Sequence, residues 1–286
     1  MRSSETDFPP TSARRFHHGG RIGDLVYAMY TIKALGGGEL CLSLFHHPGW
    51  DRRFAESVKS LAEYQDYINQ VSIIDIDQRQ MSEWRCGRSK PWLIEKFIDY
   101  DLHDAELDYN PHMFPEWHKR DWPGNCHIAK RYAVHFGVDW DPEAVWLEAP
   151  QTHVNIDVVF HMPLRRSVRS KERWLFILRA LKASGFTVLV MTGPYDYEEW
   201  NYACEMYNIP CIVPSDMLDA SDYINSSRLF IGGASSCNTI AEGLKKRRIV
   251  ELADGCDDTY PYGLTGWCAT DMPDEDLLNL AESVLE

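Results

Sequence analysis

The chain has 286 residues, enough for one large or two small domains with their own cores. Its 44% hydrophobic and 25% charged residues are ordinary for a soluble globular protein. A net charge of −14 argues against non-specific nucleic-acid binding through a broad basic face, and no apolar run approaches the ~18 residues of a membrane span.

Residues 1–14 read as a flexible arm, polar and marked by Pro9-Pro10, without the apolar stretch of a secretory signal. The eight cysteines are scattered and form no C-x-x-C pair, which fits reduced thiols in the cytoplasm. Arg15 to His18 leads into a first glycine turn, Gly19-Gly20-Arg21-Ile22-Gly23-Asp24. Leu25, Ala28, Met29, Ile32 and Leu35 then predict a helix over 24–35, stopped by Gly36-Gly37-Gly38. A strand over 39–45, a helix over 53–67 and a strand over 71–76 follow, so a parallel sheet covered by helices is expected. Residues 78–125 carry Trp84, Trp92, Trp117 and Trp122 among several prolines and read as one or two helices with long loops facing an acceptor. A helix over 127–136 precedes a linker at 139–150.

The alternation then restarts. Strands are expected over 154–161, 186–191, 211–213, 228–231 and 248–252. Helices are expected over 171–184, 197–207, 218–226, 239–245 and 274–285. The domains are therefore 15–149 and 150–286, with the last helix a candidate to pack back on the N-terminal domain. A second glycine turn, Gly232-Gly233-Ala234-Ser235-Ser236, opens into a helix as the first does. Free N–H groups and the helix dipole make such termini anion sites. One in each half suggests two similar domains facing a cleft that holds a phosphorylated ligand.

Other residues fit that cleft. Arg165, Arg166, Arg169 and Lys171 follow a strand end, where open α/β sheets bind ligands, and suit phosphate oxygens; a solvated basic loop is the plain alternative. Ser235, Ser236, Asn238 and Thr239 are donors at the second turn, though serine and threonine there are also ordinary helix caps. Glu242, one turn on, reads as a partner for ribose hydroxyls or as a surface helix residue. Gly193, after a buried strand, fits a loop beneath a nucleotide base, and His161 at a strand end faces the cleft or serves structure. Asp75-x-Asp77 and Asp139-x-Asp141 superficially match a metal-binding D-x-D pair, but no metal site is expected.

Four segments together resemble GT-B glycosyltransferases, in particular the lipopolysaccharide heptosyltransferase (ADP-heptose transferase, glycosyltransferase family 9-like) family. They are Gly20-x-x-Gly23-Asp24 with its helix, the strand ending in His161 with the basic loop up to Trp174, Val188 to Pro194, and Asp219 to Val250. Where the family has Asp-Ser-Gly and a histidine, this chain has Ala234-Ser235-Ser236 and Thr239. The string Gly233-x-Ser235-Ser236-x-x-x-Ile240-x-Glu242 is also similar to non-hydrolysing UDP-GlcNAc 2-epimerases of the same architecture.

The resemblance implies an α/β GT-B fold, with two Rossmann-like β/α/β domains facing a cleft. It implies an inverting, metal-independent transfer from a nucleotide-diphosphate sugar, needing no separate cofactor. Asp24 would be the base, with Gly20, Arg21, Gly23 and His161 lining the cleft and acceptor side. Arg165, Arg169, Lys171, Gly193, Ser235, Ser236, Asn238, Thr239 and Glu242 would hold the donor. The acceptor would be a glycan, lipid-linked or other hydroxyl, with contact to a peripheral membrane surface one option and nucleic acid disfavoured. The alternatives are a nucleotide-sugar epimerase, a non-catalytic sugar-nucleotide binder, and a phage-type transferase acting on modified DNA bases.

Overall fold

The structure, a computed structural model, describes residues 14–18, 22–44, 52–75, 102–103, 126–163, 167–253 and 259–286. The N-terminal unit contains β1 (Arg15–His18), α1 (Ile22–Ala34), β2 (Gly38–Leu44), α2 (Arg52–Glu63), β3 (Ile68–Asp75), β4 (Leu102–His103) and α3 (Ile128–His135). Its strands lie in the order β3-β2-β1-β4, all parallel. The C-terminal unit contains β5 (Ile156–His161), α4 (Lys171–Ala183), β6 (Val188–Met191), α5 (Tyr197–Glu205), β7 (Cys211–Ile212) and α6 (Met217–Ser226). It continues through β8 (Ser227–Gly233), α7 (Ser236–Gly243), β9 (Arg248–Glu251), β10 (Gly266–Cys268) and α8 (Asp274–Leu285). Its order is β10-β9-β8-β5-β6-β7, again parallel throughout.

This order explains where a site can form. In the second sheet the chain runs outward from β5 through β6 and β7, then returns to lay β8 on the other side of β5. The carboxyl ends of β5 and β8 therefore flank a topological switch point, the place where open α/β sheets receive ligands. In the first sheet β1 holds the same position between β2 and β4, and α1 follows it in the chain.

The two units share one core. Leu25, Val26 and Met29 of α1 join Leu40 and Leu42 of the first sheet, and the same cluster takes in Phe230 of β8, Ala220 and Ile224 of α6, and Ile240 and Ala241 of α7. Consecutive residues of α1 are buried because the first sheet covers one side of the helix and the C-terminal unit the other. A second core lies on the opposite face of the second sheet, where Trp174, Leu178, Trp200 and Leu277 pack on Val158, Phe160 and Ile249.

The linker is bonded to both units. Trp146 Nε1 donates to Val26 O at 3.0 Å, and Tyr30 Oη donates to Asp139 O at 2.6 Å. On the other side, the N–H groups of Trp146 and Leu147 both donate to Gly243 O.

Two expectations change. Among the described residues the last helix packs within the C-terminal unit and not on the N-terminal one. Leu277, Ala281, Val284 and Leu285 join the second core, Ser184 Oγ donates to Glu282 Oε1, and Arg247 Nη1 donates to Val284 O. Residues 15–18, read only as a lead-in, form the central strand β1. Their one apolar core residue, Phe16, is too little for an alternating pattern to register. Residues 104–125, with Trp117 and Trp122, fall outside the described residues, as does most of the rest of the Trp-rich segment.

Candidate functional site

The two glycine-turn helices meet at their N-terminal ends. Gly23, the second residue of α1, lies so close to α7 that a Cβ placed on it would sit 3.5 Å from Thr239 Oγ1 and 3.9 Å from Ser236 Cα. Asp24 is the next residue, half-buried in the first turn of α1. The candidate base and the candidate anion turn thus stand side by side across the boundary between the units. Gly20, Arg21, Arg165 and Arg166 lie outside the described residues.

The turn after β8 is built from short-range chemistry. Ser235 has an extended backbone and caps α7, its Oγ accepting from Asn238 N at 3.4 Å. Thr239 Oγ1 is turned back onto Ser235 O at 3.2 Å, so its hydroxyl serves the helix. Ser236 is half-buried, and the first N–H groups of α7, at Ser236 and Cys237, have no intrahelical partner by helix geometry. Asn238 is fully buried, yet neither Oδ1 nor Nδ2 has a hydrogen-bond partner.

His161, at the end of β5, stands opposite Gly232 of β8. Its Nδ1 lies 3.1 Å from Ser235 Oγ. Burial lowers its pKa from 6.5 to about 4, so the ring is neutral at pH 7. Gly232 is required here, since a Cβ would fall 2.3 Å from His161 O. Gly193 follows β6, and among the described residues nothing lies within 4 Å of a Cβ position on it.

The basic loop is not what its composition suggests. Arg169 is turned inward and buried, with Nη1 2.7 Å from Glu251 Oε1 and Nε 3.1 Å from Asp274 Oδ1. Its Nη2 donates to Met272 O. The expectation that Arg169 grips phosphate is therefore corrected: its donors serve two carboxylates and a carbonyl inside the protein. Lys171 begins α4, and its Nζ lies on Glu199 Oε1 at 2.8 Å in a partly exposed pair.

Glu242 is corrected as well. It is neither a surface residue nor open to ribose, being fully buried between His127 and Arg248. Its Oε2 is 3.2 Å from His127 Nε2 and its Oε1 is 3.3 Å from Arg248 Nη2. His127 Nδ1 accepts from Ala129 N and caps α3, which leaves the ring proton on Nε2 to donate to Glu242. Burial alone would raise the Glu242 pKa, but His127, Arg248 and Lys245 outweigh it and hold the carboxyl below its ordinary value. This buried chain of charge joins the segment before α3 to α7 and β9, and so joins the two units.

Sequence reasoning missed Glu251, whose carboxylate accepts from Ser167 Oγ, Val168 N, Arg169 N and Arg169 Nη1. Its backbone carbonyl accepts from Ala234 N. One residue at the end of β9 thus fixes both the basic loop and the start of the second glycine turn. The only signal was an acidic residue ending an apolar strand.

Two parallel-sheet units joined through a linker, with the N-terminal ends of two helices meeting between them, form the GT-B fold expected from the sequence. No protein-family model matches the sequence, and no curated protein matches it. The fold is similar to that of the glycosyl transferase family 9 protein of Veillonella parvula DSM 2008, at 12% identity, over 96% of this chain and 97% of that one, with a TM-score of 0.65. It is similar to the E. coli ADP-heptose heptosyltransferase II at 12% identity, 95% and 98% coverage and a TM-score of 0.62. It is also similar to E. coli heptosyltransferase WaaC, solved with ADP-2-deoxy-2-fluoro heptose, at 13% identity, 94% and 98% coverage and a TM-score of 0.61. Among the described residues no helix is long and apolar enough to cross a membrane.

Proposed function

We propose that this protein is a glycosyltransferase that moves a sugar from a nucleotide-diphosphate sugar to an acceptor hydroxyl, with inversion and without a metal. The observation that carries the reading is the close approach of Gly23 to Thr239 and Ser236, which sets Asp24 beside the N-terminus of α7. Asp24 takes the proton of the acceptor hydroxyl. The freed oxygen attacks the anomeric carbon as the bond to the diphosphate breaks on the opposite side. The departing diphosphate gathers charge, and the first N–H groups and dipole of α7 stabilise it there. Ser236 adds a hydroxyl. Lys171 adds a charge, since its exposed pair with Glu199 is worth at most about 1 kcal/mol and yields to a diphosphate. The space above Gly193 takes the nucleoside. WaaC, whose fold is similar, was solved with an ADP-sugar analogue, which supports a nucleotide-sugar donor.

The test is incubation with a panel of nucleotide sugars, following release of nucleoside diphosphate. Slow release supports a transferase. Isomerised sugar would make the protein an epimerase, and binding without turnover would make it a non-catalytic binder. Asp24→Asn keeps the shape of the base and removes its basicity. It is expected to lower turnover by ~10²–10⁴-fold while binding donor normally. Full activity in that variant would remove Asp24 as the base.

A further inference from the structure

The geometry points to His161 as a neutral hydrogen-bond donor to the diphosphate, oriented for that task by Ser235. This assignment rests on the nucleotide-sugar reading and specifies one contact within it. It also moves His161 from the acceptor side of the cleft to the donor side.

A serine hydroxyl has one proton to give and lone pairs to receive. Ser235 Oγ already receives Asn238 N–H as the cap of α7. We assign its own proton to His161 Nδ1, 3.1 Å away. With Nδ1 accepting, the single proton of a neutral imidazole belongs on Nε2. Nε2 has no partner among the described residues, although the ring is largely enclosed. Burial keeps the ring uncharged through neutral pH, with a pKa of about 4. A neutral imidazole donates without needing a counter-charge.

The location supplies the ligand class. His161 ends β5 at the switch point of the second sheet, beside the first turn of α7. In that turn Asn238 is fully buried with both amide atoms unpartnered. A helix N-terminus and an imidazole N–H beside it together suit an anion with several oxygens. Arg169 is committed to Glu251 and Asp274 and is not among its donors.

The experiment uses the full chain, calorimetric titration with ADP, GDP, UDP and CDP, and two variants. His161→Asn keeps an acceptor near the place of Nδ1 and loses the Nε2 donor. His161→Gln keeps an N–H near the place of Nε2 and loses the hold on Ser235. His161→Asn is expected to weaken the nucleotide that binds wild type by about tenfold or more, with His161→Gln closer to wild type. Nitrogen-15 NMR of the unaltered protein should show His161 neutral with its proton on Nε2 from pH 5.5 to 8. Wild-type affinity in His161→Asn, or a proton on Nδ1, would overturn the assignment and leave the nucleotide site standing. Failure of all four nucleotides to bind wild type would overturn the site itself, and this contact with it.

Discussion

Glu251 and Arg169 show how a charged loop can be internal framework. Arg169 has a side chain only 2% exposed, and Glu251 has none of its side chain exposed. Removing one member leaves the other charge buried, a loss of about 3–5 kcal/mol. Glu251→Ala and Arg169→Ala should each lower the free energy of urea unfolding by that amount. Lys171→Ala breaks only a partly exposed pair and should change it by less than about 1 kcal/mol. Three equal, small losses would show that Arg169 is not an internal strut. The cluster of four cations was legible in the sequence, but which one turns inward was not. That choice belongs to Glu251 and Asp274, which are distant in sequence and meet Arg169 only after β9 and α8 are placed. Glu242 misled for the same reason, because its partners come from residues 127 and 248.

At the scale of elements, local chemistry was the readable part. Ser170 caps α4 by accepting from Arg173 N, and Gly36, Gly37 and Gly38 end α1 with positive φ, as their residue types suggest. Helix α7 begins at Ser236, three residues before the expected start at 239, because Ser235 caps it. Strands β1 and β10 were missed because four and three residues offer too short a pattern for alternation to show. The linker's grip on α7 could not be read from sequence at all. A Cβ on Gly243 would sit 2.7 Å from Leu147 Cγ and 2.9 Å from Trp146 Nε1. Gly243→Ala gains roughly 0.8–1.0 kcal/mol of helix propensity, while overpacking costs roughly 1–3 kcal/mol. The net expectation is a loss of up to about 2 kcal/mol, read from the urea midpoint. A stabilised variant would mean that the linker yields freely and does not clamp α7.

Across the whole molecule, a shared core and the His127–Glu242–Arg248 chain tie the two units together, so the acid response is a property of the entire fold. Burial lowers the pKa of His18 to about 3 and that of His161 to about 4. Unfolding returns both toward 6.5, so below that pH the unfolded chain binds more protons than the folded one. Stability is therefore full above pH 6.5 and falls as the pH drops toward about 4 and then about 3. Each histidine contributes a slope approaching about 1.4 kcal/mol per pH unit inside its window. Glu242 acts lower down. Its folded pKa is depressed, so its contribution is present above the ordinary value of 4.5 and is lost as the pH falls through the folded value. The urea midpoint should be flat from pH 8 to 7, decline from about 6.5, and steepen below about 4.5. His161→Asn should remove one histidine's share of the decline between pH 6.5 and 4 and leave the Glu242 step in place. A midpoint that stays level from pH 7 to 5 would show that neither histidine is held neutral by burial, and would withdraw the uncharged His161 on which the donor contact depends.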